Sequence, residues 1–218
     1  MEWKNKLNLL HCIASDLQII HSQELIHRDL HSGNILQDEL NNTYIADLGL
    51  SISKNMALKA ECSGIYGILP YIAPKTLDEG QYTTASDIYS FGIIMWKILY
   101  GRPVSFSQEF GMLQIEICRN DLRPTIIENT HQCYVNLMKK CWGREPENRP
   151  SAIKICEILT EWLNNEIILS YLTKSDELLM NIKSTHAQPY SDDIYKSKFI
   201  EFTTSLCQGI YFLLFINN

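Results

Sequence analysis

The sequence predicts a mainly α-helical domain in which short β-hairpins surround one polar loop. Three observations carry that prediction. Leu7, Leu10, Ile13, Leu17 and Ile20 recur at three- and four-residue spacing between Lys4 and Ser22, drawing one apolar stripe along an amphipathic helix. Ser86 to Tyr100 is apolar on nearly every side, through Ile88, Phe91, Ile93, Ile94, Met95, Trp96, Ile98 and Leu99. A helix apolar all round belongs in a core. Between the two, the polar run from His27 to Asn34 is bracketed by the short apolar pairs Leu25-Ile26 and Ile35-Leu36.

The remaining elements follow in order. Glu39-Leu40-Asn41-Asn42 reads as a turn before the β-prone Thr43-Tyr44-Ile45-Ala46. Residues 50–75, rich in Ser, Gly and Lys without a period, predict a long surface loop. Gly101 and Pro103 stop the apolar helix. Further helices are expected near 108–119, 131–142 and 150–166, with Pro146 and Pro150 punctuating the gap before the last. Beyond Leu163 the pattern weakens, with one or two helical turns at Ser175–Lys183 and a linker at Ser184–Asp193. The expected division is a folded unit over residues 1–163 and a partly disordered tail over 164–218.

Composition excludes several function classes. The 218 residues are 45% apolar and 20% charged with a net charge of −6, which is ordinary globular usage. No Lys/Arg run could neutralise several phosphates, so nucleic acid is excluded as a partner. The seven cysteines contain no CxxC pair and are odd in number, against a zinc site or a disulfide scaffold and for a reduced, intracellular (cytoplasmic) setting. Met1 to Lys6 lacks the apolar core of a signal peptide. The apolar run Gly209–Ile216 is eight residues long, against about 20 for a spanning helix, so no membrane partner is expected. That run has the composition of an aggregation-prone strand.

Five motifs stand in order over roughly residues 3 to 163. They are His27-Arg28-Asp29 with Asn34; Asp47-Leu48-Gly49; Gly67 to Lys75, containing Tyr71 and Ala73-Pro74; Asp87 with Ser90-Phe91-Gly92; and Cys141-Trp142 with Pro146 and Arg149-Pro150. The set resembles the protein kinases, in style the tyrosine-kinase-like Ser/Thr group. The fold implied is the C-terminal helical lobe of the kinase domain. The implied activity is phosphoryl transfer from ATP to protein Ser/Thr hydroxyls, with Mg2+ as the metal.

By this resemblance Asp29 is the base for the substrate hydroxyl, and Asn34 and Asp47 hold Mg2+ on the phosphates. Gly49 frees the backbone after Asp47. His27 packs, and Arg28 is either a plain surface charge or a partner for a phosphorylated residue among Ser51, Ser53, Ser63 and Tyr66. Asp87 is either a helix N-terminal acid or a clamp on the backbone of the His27–Asp29 turn. The resemblance also implies a protein substrate, and another kinase or a scaffold as a further partner.

Three departures from the family pattern shape the expectations. The chain starts at the helix before the catalytic loop, so the N-terminal lobe, with its glycine-rich loop and Lys, is expected to be absent, as in a truncated reading frame. ATP should then bind weakly, and transfer by the isolated chain is in doubt. His31 stands where Ser/Thr kinases carry Lys, and Ile68 stands where an activation-segment Thr would be; His31 can still donate a hydrogen bond. Lys75 replaces the Glu that pairs with Arg149, so Arg149 is expected either to find Glu145 or Glu147 or to leave the segment loosely held. The alternative function is a catalytically inactive, pseudokinase-like binding or scaffold module.

Overall fold

The computed structural model of the chain describes residues 1–39, 42–57, 64–104, 106–182 and 196–202. Its elements are mostly helical. Helix α1 (Trp3–Ser22) leads into strand β1 (Leu25–Ile26), and the hairpin β2 (Ile35–Gln37) and β3 (Thr43–Ile45) follows the polar loop. Strand β4 (Ile52–Ser53), helix α2 (Lys54–Ala57), strand β5 (Gly64–Gly67) and helix α3 (Pro74–Glu79) come next. Helices α4 (Thr84–Tyr100), α5 (Phe110–Arg119), α6 (Gln132–Cys141), α7 (Ala152–Leu163) and α8 (Glu166–Ile182) complete the body, and strand β6 (Lys198–Glu201) lies near the end.

The two predicted helices form as their patterns require. In α1, Leu7, Leu10, Ile13 and Leu17 are fully buried, and the helix packs along α7. Helix α4 begins after Thr83, whose N–H donates to Ser86 Oγ at 3.1 Å. It ends where Gly101 turns left-handed at φ 64°, its N–H returning to the Lys97 carbonyl. Ile88, Phe91, Ile93, Ile94, Met95, Trp96 and Leu99 along it are all buried, which makes α4 the axis of the core.

Polar atoms on that axis find partners. Trp96 Nε1 donates to the Thr125 carbonyl at 2.9 Å and Tyr134 Oη to the Met95 carbonyl at 2.8 Å. Ser90 Oγ donates to the Tyr71 carbonyl at 2.6 Å, tying α4 to the segment before α3. Helix α6 lies so close to α4 that a Cβ on Gly92 would sit 2.9 Å from Cys141 Cβ and 3.1 Å from the Trp142 nitrogen.

Among the described residues the strands form three antiparallel pairs. β1 meets β4 with Ile26 opposite Ile52, β2 meets β3 with Leu36 opposite Tyr44, and β5 meets β6 with Ile65 opposite Ile200. Two expectations need correction. Residues 50–75 are not one surface loop: they hold β4, α2 and β5, and Leu69, Pro70 and Tyr71 are buried in a 3-10 turn. Of these, Ile65, Leu69 and Ile72 join a second apolar cluster with Leu77, Leu113 and Ile117. The weak pattern beyond Leu163 conceals α8, which packs on α7 and α1 through the fully buried Leu172. Exposed Ile167 and Tyr171 blur its periodicity. The expected turn at 39–42 includes residues 40 and 41, which lie outside the described residues, as do Ser63, the linker at 184–193 and the run 209–216.

Gly92→Ala tests the closeness of α4 and α6. Alanine is the better helix former by about 1 kcal/mol, but overpacking against backbone costs about 1–3 kcal/mol. A net loss of stability in urea denaturation is expected, and a neutral or stabilising result would mean that the two helices stand further apart.

Candidate active site

The polar loop between β1 and β2 is held from beneath by one carboxylate. Asp87, in the first turn of α4 and 1% exposed, accepts from the His27 N–H at 2.9 Å and from the Arg28 N–H at 3.0 Å. It also accepts from His21 Nε2 at 2.9 Å. Arg28 adopts φ 73°, a conformation few side-chain-bearing residues hold without such support.

His27, fully buried, ties the loop to the next strand. Its Nε2 donates to the Ala46 carbonyl at 3.1 Å, which leaves Nδ1 to accept from the Asp29 N–H at 3.3 Å. Asn34 sits in a 3-10 turn and donates through Nδ2 to the Asp29 carbonyl at 2.9 Å. The Asn34 carbonyl in turn accepts from the Ala46 N–H at 2.8 Å. Asp29 and Asn34 are thus joined directly. Asp47 follows Ala46, which bonds to Asn34 and to His27 rather than to Asp29. Asp47 is exposed, left-handed at φ 62°, and accepts from the Gly49 N–H at 3.2 Å.

His31 lies against the Asp29 carboxylate, its Nε2 3.6 Å from Oδ2. Its Nδ1 accepts from the Gly33 N–H at 3.0 Å, so in the neutral ring the proton sits on Nε2 and faces Asp29. The His31 imidazole holds the Asp29 carboxyl below its usual 3.8, outweighing the partial burial that pushes it up. Ser32 next to it accepts from Lys97 Nζ at 2.6 Å and lies 3.3 Å from Tyr71 Oη. A Cβ on Gly67, at the end of β5, would come within 4.0 Å of Asp29 Oδ1, so the strand ends beside this carboxylate.

Arg28 stacks on Tyr82, its guanidinium 4.4 Å from the ring centre, and its buried Nε has no hydrogen-bond partner among the described residues. Burial pushes the Tyr82 phenol up to about 12, so the ring is neutral. Of the residues named for Arg28, Ser51 Oγ donates to the His27 carbonyl and Tyr66 stacks on Phe199.

Arg149 corrects its expectation. It finds neither Glu145 nor Glu147; it donates to the carbonyls of Gly143, Ala85 and Arg144 at 2.8, 2.8 and 3.0 Å and lies over the Tyr89 ring. Burial pulls its pKa down to about 10. Lys75 instead pairs with Glu145 at 3.4 Å, so the two cations each have an acceptor and the segment is not loosened by their repulsion. His21 and Lys97 escaped the sequence reading. Neither has a motif signal; each reaches the loop only because α1 and α4 pack beside it.

The family model for protein tyrosine and serine/threonine kinases matches residues 1–159. The chain belongs to that family. It is 30% identical over 205 residues to the receptor-interacting serine/threonine-protein kinase 3 of Rattus norvegicus, covering 88% of this chain and 42% of that protein. It is 36% identical over 137 residues to the dual specificity protein kinase shkC of Dictyostelium discoideum, covering 62% and 27%. It is 28% identical over 151 residues to the serine/threonine-protein kinase STY17 of Arabidopsis thaliana, covering 68% and 26%. This kinase-family chain therefore spans less than half the length of each of these relatives. Among its described residues no three His, Cys, Asp or Glu cluster as a metal site, and no helix is long and apolar enough to cross a membrane.

Removing the His31 ring should raise the Asp29 pKa. A lowered carboxyl pKa stabilises the fold above the unfolded value and loses that support as pH falls through the folded value. In His31→Ala the Asp29 contribution above the unfolded value should therefore shrink, and less stability should be lost on acidification than in the parent. Carboxyl 13C titration of Asp29 checks it; an unchanged midpoint would contradict the contact.

Proposed function

We propose that this chain carries the phosphoryl-transfer chemistry of a protein kinase acting on protein Ser/Thr hydroxyls, with Asp29 as the base and ATP as the donor substrate. The observation that supports this most is the setting of Asp29. Its carboxylate is held ionised by His31, its main chain is tied to His27 and Asn34, and its turn is clamped by Asp87. Phosphoryl transfer asks the protein mainly for positioning and charge, and this loop is built for position.

Asp29 accepts the proton of the acceptor hydroxyl as that oxygen bonds to the γ-phosphorus. The bridging oxygen leaves with ADP. Asn34 and Asp47 offer hard oxygen donors, which suit Mg2+, and the ion would offset charge on the phosphates. His31 keeps its Nε2–H on the Asp29 carboxylate and holds it in place for the hydroxyl proton. His27, Arg28, Gly49, Asp87 and Arg149 position these groups and touch no substrate. Residues 1–163 form the kinase unit in this proposal, and 164–218 are appended to it. Free thiols at Cys12, Cys118, Cys133, Cys141 and Cys156 accord with an intracellular, cytoplasmic setting.

One observation favours a second reading, a pseudokinase-like module that binds proteins without turnover. The imidazole of His31, not an ammonium, stands against Asp29. Incubation of the full chain with MgATP and a generic protein acceptor separates the two. Transfer that falls by about 100-fold or more in Asp29→Asn is expected of the enzyme. Transfer unchanged by that substitution overturns the assignment, and MgATP binding by calorimetry without transfer supports the binding module.

A further inference from the structure

Strand β6 is far from its partner in sequence yet lies along the strand that ends beside Asp29. The ladder sets Gly64, Ile65, Tyr66 and Gly67 opposite Glu201, Ile200, Phe199 and Lys198. Side chains alternate along β6 as an extended strand requires. Lys198, Ile200 and Phe202 fall on one face. Lys198 Nζ lies 3.6 Å from the centre of the Phe110 ring, Ile200 is 1% exposed in the cluster with Leu77 and Leu113, and Phe202 covers Gly80. On the other face Phe199 stays half-exposed against Tyr66, and Glu201 is exposed. The buried Gln114 donates through Nε2 to the Glu201 carbonyl, a main-chain contact that any side chain at 201 would preserve.

This is the form of strand addition: backbone pairing along an edge, with pockets reading alternate residues. A two-stranded sheet is marginal by itself, so β6 rests on the pocket that takes Ile200. We propose that the edge of β5 is a docking site for an extended polypeptide of the pattern basic-x-aliphatic-x-aromatic, and that residues 198–202 occupy it in cis as an exchangeable plug. At Lys198 the plug pairs with Gly67, the residue beside Asp29, so in this proposal it obstructs another polypeptide there. Docking stands on the ladder alone; the consequence for catalysis rests on reading Asp29 as the base.

A tethered segment competes with any free peptide at an effective concentration on the order of millimolar. The test uses the full chain and a fluorescein-labelled peptide of residues 196–202, followed by anisotropy. Ile200→Asp, which breaks the plug, should bind that peptide at least about tenfold more tightly than the parent chain. Phe202→Ala, a milder change at the rim, should shift affinity in the same direction. Equal affinity of the parent and both variants, or no binding to any, overturns the proposal. If Ile200→Asp loses its cooperative unfolding and Phe202→Ala captures no peptide, residues 198–202 are permanent core and the proposal fails. Phosphoryl transfer that rises in Ile200→Asp supports the covering role. Peptide capture with no transfer in any variant supports the docking site and counts only against the reading of Asp29.

Discussion

The two oxygens of Asp87 take the amide hydrogens of consecutive residues, His27 and Arg28, while His21 donates to one of them. The arrangement sets the direction in which the chain leaves β1. A buried carboxylate in the first turn of a helix is favoured by the helix dipole, and hydrogen bonds to a charged acceptor contribute about 1.5–3 kcal/mol each. Such a group can hold a residue at positive φ that its own side chain disfavours. Everything polar downstream, from Asp29 to Asn34 and across to Ala46, is measured from that turn.

The clamp is only as firm as its base, and α4 supplies the base. The helix is buried along nearly its whole length, approached by α6 at Gly92 and joined to the segment before α3 through Ser90. Arg149 reaches the Ala85 carbonyl just ahead of Asp87, so a buried cation also bears on the start of the helix. With three carbonyls around it this guanidinium needs no carboxylate. The reversal of charge at Lys75 is absorbed at the surface instead, where the pair with Glu145 is half-exposed and worth about 0–1 kcal/mol. A departure from the family pattern therefore costs little, because the two cations solve separate problems.

How much of this was legible in the sequence depends on the range of the interaction. The stripe of α1, the apolar run of α4 and its Gly101 stop are local patterns, and the structure follows them closely. Asp29 and Asn34 were named from the resemblance of their loop to the kinase catalytic loop, and the hydrogen bond between them is a contact across five residues. The acceptors of Arg149 could not be read, since backbone carbonyls carry no sequence signature. Residues 64–72 gave no period because their burial depends on α5 and on β6, more than 100 residues further along the chain. Strand β6 was invisible for the same reason: Lys-Phe-Ile-Glu becomes a strand only where an edge is waiting for it.

Hydrogen exchange in Asp87→Asn measures the central constraint most directly. The amide retains one acceptor oxygen and cannot serve both loop N–H groups and His21 at once. Exchange at His27, Arg28 and Asp29 should accelerate by about tenfold or more, the ratio that 1.4 kcal/mol represents, while amides in α6 keep their protection. If the loop amides of the variant exchange as slowly as those of the parent, Asp87 does not hold the turn, and the organisation of the site around it is wrong.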